Sequence, residues 1–466
     1  MTFPGDDATP AAEAKPSRKS GGLLKNSARA LFLRVGLMVV NLATALMLAR
    51  WLGPEQYGVY VFIVAVLSLV ALPGQAGMPL INVREISFRL VDGDWPRVLG
   101  IIVRTRQMML LYSLAMGVCI ALAYMLYLDD RMSAPEGQAL LWVAVLMPAF
   151  ILLPVTGASL RALNHLFLGQ LIETLVRPAA FLALVALVFF VSKDTLDASD
   201  AMMLHAIAAL AMLALALFLQ HRIVGPNTAG LAPVYDTREI LSSLAPLTLV
   251  AGMQIIIGKT DILMLRYFRS PEEVAYYNVA LQWAGLALIA QQAVLMVTGP
   301  SVARAFQRGD LASVQRTLTS SARLIFVGAL PLGLALLFFG EWIVLVSFGP
   351  EYVPAVAALS ILVIGRIIQA SYGVVIQLAK MAGWESLMFW LVAFAALLNV
   401  ILNAVLIPGF GTSGAAIASI LASFVWKTTL MVLAWRRLGL VSFLFGGRPE
   451  TLPNGKDAAQ PAGEKT

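Results

Sequence analysis

Charged residues are scarce in this chain. Asp, Glu, Lys and Arg make up 13% of its 466 residues, and 59% of the residues are hydrophobic. A soluble domain averages about 25% charged and about 45–50% apolar residues. This deficit of charge excludes an ordinary soluble fold, so most of the chain is expected to face lipid or other membrane helices. The net charge of +7 is then a property of loops at a membrane surface, and no nucleic-acid partner is expected.

Cysteine and histidine are scarce as well. Because Cys119 is the single cysteine, an intrachain disulfide and a cysteine-based metal site are excluded. The three histidines do not have the HExxH spacing of a zinc protease, and they are His165, His205 and His221. We therefore expect no metal and no other cofactor.

A nucleotide-binding loop is absent, although GMQIIIGKTD at 252–261 resembles one. Gly252 and Gly258 have five residues between them, which is one more than the P-loop spacing allows. The stretch also lies inside a long apolar segment, where helix hydrogen bonds would occupy the backbone N–H groups that a phosphate needs. No ATP-driven step is expected.

Long apolar runs dominate the sequence instead. A helix crosses the bilayer core with about 20 apolar residues. Twelve such runs are present, at about 29–51, 57–78, 104–127, 139–159, 171–192, 201–221, 241–265, 274–299, 319–340, 354–379, 387–407 and 413–435. The sequence therefore predicts an all-α integral membrane protein with about twelve transmembrane helices.

The two ends of the chain are polar. Residues 1–28 include Asp6, Asp7 and several prolines, and the apolar run that follows is too long for a signal-peptide core, so a secretory signal is not expected. We predict that 1–28 is a disordered cytoplasmic tail and that 438–466 is a second cytoplasmic tail.

Basic residues between the runs set the predicted orientation. With the amino terminus in the cytoplasm, one side of the membrane carries Arg29, Arg84, Arg89, Arg97, Arg161, Arg222, Arg238, Arg304, Arg308, Arg316, Lys380, Arg436 and Arg437. The opposite side carries only Arg50, Arg131, Lys193, Arg266 and Arg269. Since positive loops stay inside, both termini are predicted to be cytoplasmic. The outer loops are short, which argues against a membrane glycosyltransferase or polymerase with catalytic groups on that side.

The two halves of the chain resemble each other. LMLARWLGPEQYGVY at 46–60 and LMLRYFRSPEEVAYY at 263–277 share Leu-Met-Leu, Pro-Glu and the final Tyr at one offset. Gly-Asp pairs follow at 93–94 and 309–310. We predict a six-helix lobe at 29–222, a cytoplasmic linker at 223–240 and a second six-helix lobe at 241–437. An even number of helices makes the repeats parallel, around a central cavity.

Several motifs resemble the polysaccharide exporters (Wzx-like oligosaccharide flippases) of the MOP superfamily. They are LARWLGPEQYGVY at 48–60, VREI at 83–86, LRAL at 160–163, ETLVRP at 173–178 and DILMLRYFRSPEEVAYY at 261–277. The second copy departs from the turn motif with Ser270 and Ala275 in place of glycines. The superfamily also holds lipid II flippases and MATE drug exporters.

This resemblance implies a non-enzymatic flippase of the bacterial inner membrane. Its expected cargo is a polyprenyl-diphosphate-linked oligosaccharide or precursor for lipopolysaccharide, exopolysaccharide or another polysaccharide. Expected partners are this lipid-linked oligosaccharide, membrane lipids, and glycan polymerase or chain-length machinery.

Ionisable residues inside the runs are costly in a membrane and are therefore candidate site residues. We single out seven of them: Arg34, Glu173, Arg177, Lys259, Asp261, Arg366 and Lys427. Arg34, Arg366, Lys259, Lys427 and Arg177, with Asn41 on the face of Arg34, are the predicted substrate-binding residues. Asp261 and Glu173 are the predicted ion-coupling residues.

Each candidate also has a structural explanation. Arg366 could pair with backbone carbonyls or a neighbouring acid, and Arg34 could snorkel to lipid headgroups. Glu173 and Arg177, four residues apart, could form an ion pair within one helix. Asp261 lies near the outer end of its run and could be interfacial. Lys259, two residues earlier, points about 200° away from Asp261 and cannot share a narrow stripe with it.

The sign of these charges favours one function over another. Five of the seven are basic, and Arg and Lys are the side chains that hold phosphates. We therefore expect export of an anionic lipid-linked glycan by alternating access, with an ion gradient or substrate removal as the drive. A MATE-like cation or drug antiporter is the alternative, and buried acids would be expected to dominate there.

Overall fold

The computed structural model describes residues 20–128, 133–191 and 196–444. Those residues form fourteen α-helices and no strand. The helices are α1 (Ser20–Val70), α2 (Met78–Val91), α3 (Trp95–Ala123), α4 (Ala134–Ala162), α5 (Leu166–Leu171), α6 (Arg177–Val191), α7 (Ala198–Thr228), α8 (Thr237–Phe268), α9 (Pro271–Leu286), α10 (Leu288–Gln307), α11 (Leu311–Ser347), α12 (Ala355–Ala370), α13 (Val375–Met381) and α14 (Glu385–Leu438). Short π-helical turns precede α2 and α6.

Within these described ranges, eight helical stretches are long and apolar enough to cross a membrane, and two bent helix pairs raise the number to ten. The chain is therefore a multi-pass membrane protein. Two of the stretches contain a non-helical glycine, Gly53 in α1 and Gly411 in α14. Counting the halves of α1 and α14 separately gives twelve segments, although twelve membrane crossings stay a prediction.

The predicted boundaries of the tails and the linker differ from the observed ends of the helices. Helix α1 begins at Ser20, so part of the predicted disordered tail 1–28 is helical, and residues 1–19 lie outside the described residues. The connection after α7 is 229–236, shorter than the predicted linker because helix continues into both of its ends. Of the predicted tail 438–466, Val441 and Ser442 bond to residues of the second half, and 445–466 lie outside the description.

The two Gly-Asp pairs form the same turn. Gly93 and Gly309 have φ of 67° and 71°, a left-handed conformation that glycine adopts without steric cost. Asp94 and Asp310 follow as N-caps of α3 and α11, and each carboxylate accepts from the backbone N–H three residues on. This shared turn is what two copies of one unit would produce, and the repeat layout itself stays a prediction.

At the predicted outer end, the first half of the chain packs tightly on the second. Asn278 Nδ2 donates to the Tyr57 hydroxyl at 2.7 Å, and the Tyr352 hydroxyl donates to the carbonyl of Ala49 at 2.8 Å. A Cβ at Gly58 would lie 1.8 Å from the carbonyl oxygen of Pro271. Helices α1 and α9 can approach this closely only because residue 58 has no side chain, and the contact joins the two halves of the chain at this end.

Helix α8 belongs to both halves. It bends by 61° between Leu247–Met253 and Ile255–Phe268. Its first part contacts the first half of the chain, where a Cβ at Gly77 would meet Thr248 Oγ1 at 2.0 Å. Its second part packs on α14. Two of its charged residues, Lys259 and Asp261, lie in this second part.

Candidate functional site

A cavity of about 400 Å³ lies within the second half of the chain. We call it the C-terminal cavity, and helices α8, α9, α10, α12, α13 and α14 line it. Its polar lining residues are Asp261, Gln291, Gln292, Arg366, Gln369, Ser419, Ser423 and Lys427. The other lining side chains are mostly apolar. The polar groups therefore converge in an otherwise apolar surface, as in ligand-binding sites.

Two basic side chains in this cavity share one neutral acceptor. Lys427 Nζ donates to Gln369 Oε1 at 2.9 Å, and Arg366 Nη1 lies 3.4 Å from the same oxygen. Arg366 Nε is buried and has no hydrogen-bond partner in the described part of the chain. Within those residues neither cation forms an ion pair. Among these residues Arg366 therefore does not pair with a backbone carbonyl or an acid, as its alternative structural role required. Its contact is the side-chain amide of Gln369.

Asp261 lies beside this cavity and is buried, with 3% of its surface exposed. The interfacial position considered for it is thus wrong, because α8 points it into the bundle. Its carboxylate accepts from the Tyr277 hydroxyl at 2.7 Å and from Asn399 and Asn403 Nδ2 at 3.0 and 2.7 Å. The Ser419 hydroxyl is a fourth donor. All four are neutral, and Asp261 forms no ion pair with a described residue.

A second cavity, of about 300 Å³, lies mainly in the first half of the chain. We call it the N-terminal cavity, and residues of α1, α4, α6, α7, α8 and α9 line it. Its polar lining residues are Asn41, Thr44, Tyr57, Tyr60, Arg177, His205, Lys259, Asn278 and Gln282. The lining contains no carboxylate, so Arg177 and Lys259 give it a positive charge.

Aromatic rings position the charged and polar groups of the N-terminal cavity. The Arg177 guanidinium lies 4.8 Å from the centre of the Phe150 ring, an attractive cation–π distance. His205 stacks on Phe181 with ring centres 4.5 Å apart, and its Nδ1 is 3.1 Å from the Tyr60 hydroxyl. Arg177 Nε has no hydrogen-bond partner among the described residues. One buried donor on Arg177 is therefore left unsatisfied.

The spacing of Lys259 and Asp261 correctly predicts that they face different ways. Lys259 lines the N-terminal cavity and Asp261 the C-terminal cavity. Helix α8 therefore contributes a cation to one cavity and an anion to the other. Five of the predicted binding residues line the two cavities. The N-terminal cavity contains Asn41, Arg177 and Lys259, and the C-terminal cavity contains Arg366 and Lys427.

Arg34 and Glu173 line neither cavity. Arg34 is exposed and donates to Gln292 of α10, so it connects the two halves at the rim of the C-terminal cavity. Glu173 pairs with Arg161, and the predicted ion pair with Arg177 is wrong. The reason is the π-helical turn at Ile172–Val176, which changes the relative orientation of residues four apart.

Several site residues were not singled out from the sequence. Gln369 is three residues after Arg366, a spacing that places the two on one helix face, so that signal was present. Tyr277 was noted only as the final Tyr of the repeat, and Ser419 and His205 gave no signal of this kind because polar residues are common in membrane helices. Their role follows from contacts between helices distant in the chain.

Solved structures share this fold. An inward-facing multidrug-resistance MATE transporter of the MOP superfamily superposes with a TM-score of 0.70, at 14% identity over 86% of this chain and 94% of the other. The lipid II flippase MurJ in an inward closed conformation superposes at 0.68, with 13% identity over 86% of each chain. The fold is therefore that of the MOP superfamily of membrane transporters.

Residues 23–306 match the family described as polysaccharide biosynthesis protein, and the chain belongs to this family. A probable low-salt glycan biosynthesis flippase of Haloferax volcanii, Agl15, is 21% identical over 383 residues, which is 82% of this chain and 77% of the relative. The Wzx-like resemblance in the motifs is thus confirmed, because the family match, the flippase relative and the shared fold all agree with it. The name of this relative describes a flippase, which fits the prediction of a non-enzyme.

Proposed function

We propose that this protein moves a polyprenyl-diphosphate-linked oligosaccharide from the cytoplasmic to the outer leaflet of a bacterial inner membrane, with both of its termini in the cytoplasm. The observation that carries the substrate class is the pair Arg366 and Lys427, which share Gln369 and have no carboxylate partner among the described residues. Two desolvated cations with free donors favour a multiply charged anion. A diphosphate meets this requirement, and a cationic drug does not.

The N-terminal cavity offers complementary chemistry for the glycan. Its amides and hydroxyls, on Asn41, Asn278, Gln282 and Tyr60, provide both donors and acceptors. Arg177 and Lys259 add positive charge for phosphate or acidic sugars. In this proposal the diphosphate binds in the C-terminal cavity and the sugars extend into the N-terminal cavity. The polyprenyl tail stays in lipid beside α1 and α10, where Arg34 meets Gln292.

Asp261 is the proposed coupling group. A buried carboxylate held only by neutral donors can bind a proton or a small cation without losing an ion pair. Asn403 Oδ1 is buried beside it and has no hydrogen-bond donor in the described part of the chain, so a cation there would gain a further oxygen ligand. Glu173, paired with Arg161, is the weaker of the two predicted coupling residues.

Transport by alternating access requires the outer end to open. Replacing Gly58 by Ala should oppose closure of that end, because the new Cβ would overlap the carbonyl of Pro271. We expect a distance probe across α1 and α9 to report a wider separation and export to fall. Gly285→Ala is the matched control, since a Cβ there meets nothing within 4 Å. Unchanged distance and export in Gly58→Ala would contradict this role of the contact.

The leaflet location of lipid-linked glycans in cells lacking the protein tests the function directly. We expect diphosphate-linked glycans to accumulate on the cytoplasmic face, and their mass would identify the cargo. Normal glycan export together with increased retention of a cationic dye would instead establish a drug antiporter, and the basic cavities would then have a structural role.

A further inference from the structure

A third cavity, of about 680 Å³, lies between α3 and α7, away from the two cavities described above. It is at the predicted cytoplasmic end, where α3 begins and α7 ends. Its polar lining residues are Arg106, Gln220, His221, Arg222 and Thr228, and its apolar ones include Leu99, Ile102, Val103 and Val224. No Asp or Glu lines it, so the lining combines basic and apolar side chains from both helices.

One of its arginines is held in place by a buried residue. Gln220 is 2% exposed, and its Oε1 accepts from Arg106 Nη2 at 2.7 Å. The guanidinium is thus oriented by a neutral partner and keeps its charge uncompensated. The one acid in the connection 229–236, Asp236, is engaged elsewhere, because its carboxylate lies 3.7 Å from Arg89 and from Arg97.

The surface beyond the cavity is apolar and exposed along both helices. On α3, Leu110 and Leu114 follow Arg106 at intervals of four residues, and both are exposed. On α7, Phe218 and Leu215 precede Arg222 at helical spacing and are also exposed. These intervals keep each set on one helix face. From the basic cavity, two apolar tracks therefore run toward the middle of the membrane.

We propose that this cavity binds an anionic phospholipid of the cytoplasmic leaflet. The headgroup phosphate contacts Arg106 and Arg222, and the acyl chains lie over Leu110, Leu114, Phe218 and Leu215. Basic pockets between membrane helices on this side bind acidic headgroups in just this manner. The site is separate from the transport cavities, so it takes a resident membrane lipid rather than cargo.

Native mass spectrometry of the full chain can test this proposal with two lipids of identical acyl chains. Phosphatidylglycerol is the anionic probe and phosphatidylcholine the neutral one. We expect the wild-type protein to retain phosphatidylglycerol selectively. Arg106→Gln should weaken this retention by about fivefold, the effect of about one basic contact with an acidic headgroup. Arg308→Gln is the charge-matched control, because Arg308 is exposed at the same end and lines no such cavity.

A second variant fills the cavity and leaves every charge in place. A Cβ at Gly225 would meet only His221 Cε1, at 3.9 Å, so Gly225→Phe has room in a helix that should tolerate it. This variant should lose selective retention while keeping its thermal stability. Equal retention of both lipids by wild type, or undiminished phosphatidylglycerol binding in Gly225→Phe, would overturn the proposal. Displacement of the lipid by millimolar inorganic phosphate would also overturn it, since the apolar tracks would then contribute nothing.

Discussion

The N-terminal and C-terminal cavities differ in how they compensate charge. In the C-terminal cavity, Arg366 and Lys427 compete for one amide oxygen, while Asp261 is held by four neutral donors. In the N-terminal cavity there is no carboxylate, and Arg177 rests on an aromatic ring. The difference teaches that basic side chains inside the bundle can be placed either beside a carboxylate or in a polar surface without any acid.

The largest expected effect is at Arg366. Arg366→Gln should reduce export by about ten- to a hundredfold, because a charge-assisted contact contributes about 1.5–3 kcal/mol. Export is measured as the outer-leaflet fraction of the lipid-linked glycan at equal protein abundance in the membrane. Arg316→Gln is the control, since this exposed arginine bonds only within its own helix. Wild-type export in Arg366→Gln would remove the C-terminal cavity from substrate binding.

The next largest effect is expected at Asp261, because the N-terminal cavity has no carboxylate in its lining. Asp261→Asn keeps the shape and removes the charge. In proteoliposomes we expect transport to lose its response to an imposed proton or sodium gradient. Its rate under a gradient should fall by about tenfold, to the rate measured without a gradient. Asp92→Asn, at an exposed helix end, should respond as wild type does. A gradient response that survives in Asp261→Asn would assign coupling to another group.

A smaller effect is expected in the N-terminal cavity. Arg177→Gln should lower export by about fivefold, equivalent to about 1 kcal/mol. The loss is smaller than at Arg366 because the amides and hydroxyls around it would still hold the glycan. A loss as large as that of Arg366→Gln would mean that the diphosphate binds here, and the proposed division between the cavities would be reversed.

The smallest effect concerns stability. Tyr60→Phe removes the hydroxyl that contacts His205 Nδ1, and the free energy of unfolding should fall by about 1 kcal/mol. Thermal unfolding in detergent measures this change. Tyr235→Phe is the matched control, because that ring is exposed and contacts Arg104 through its face. Equal melting temperatures for the two variants would show that the N-terminal cavity does not depend on this bond.

Much of the fold followed from local patterns. Hydropathy predicted the membrane helices, and the turn at Gly93 and Gly309 was visible as a repeated Gly-Asp pair. The motifs after the first and seventh runs predicted the family. The count of charges predicted a basic interior, and the cavities contain four basic side chains and one carboxylate. The helical start at Ser20 was missed because a polar composition resembles a tail even where the backbone is helical.

The sequence by itself determined that the chain is a helical membrane protein with more basic than acidic groups inside, because hydropathy and charge are local properties of each run. Only the tertiary structure decided which of these groups meet. Arg366 and Lys427 lie on α12 and α14, and Asp261 on α8 reaches Asn399, Asn403 and Ser419 of α14. Partners this far apart in the chain come together through helix packing, and no spacing within one helix could have predicted them.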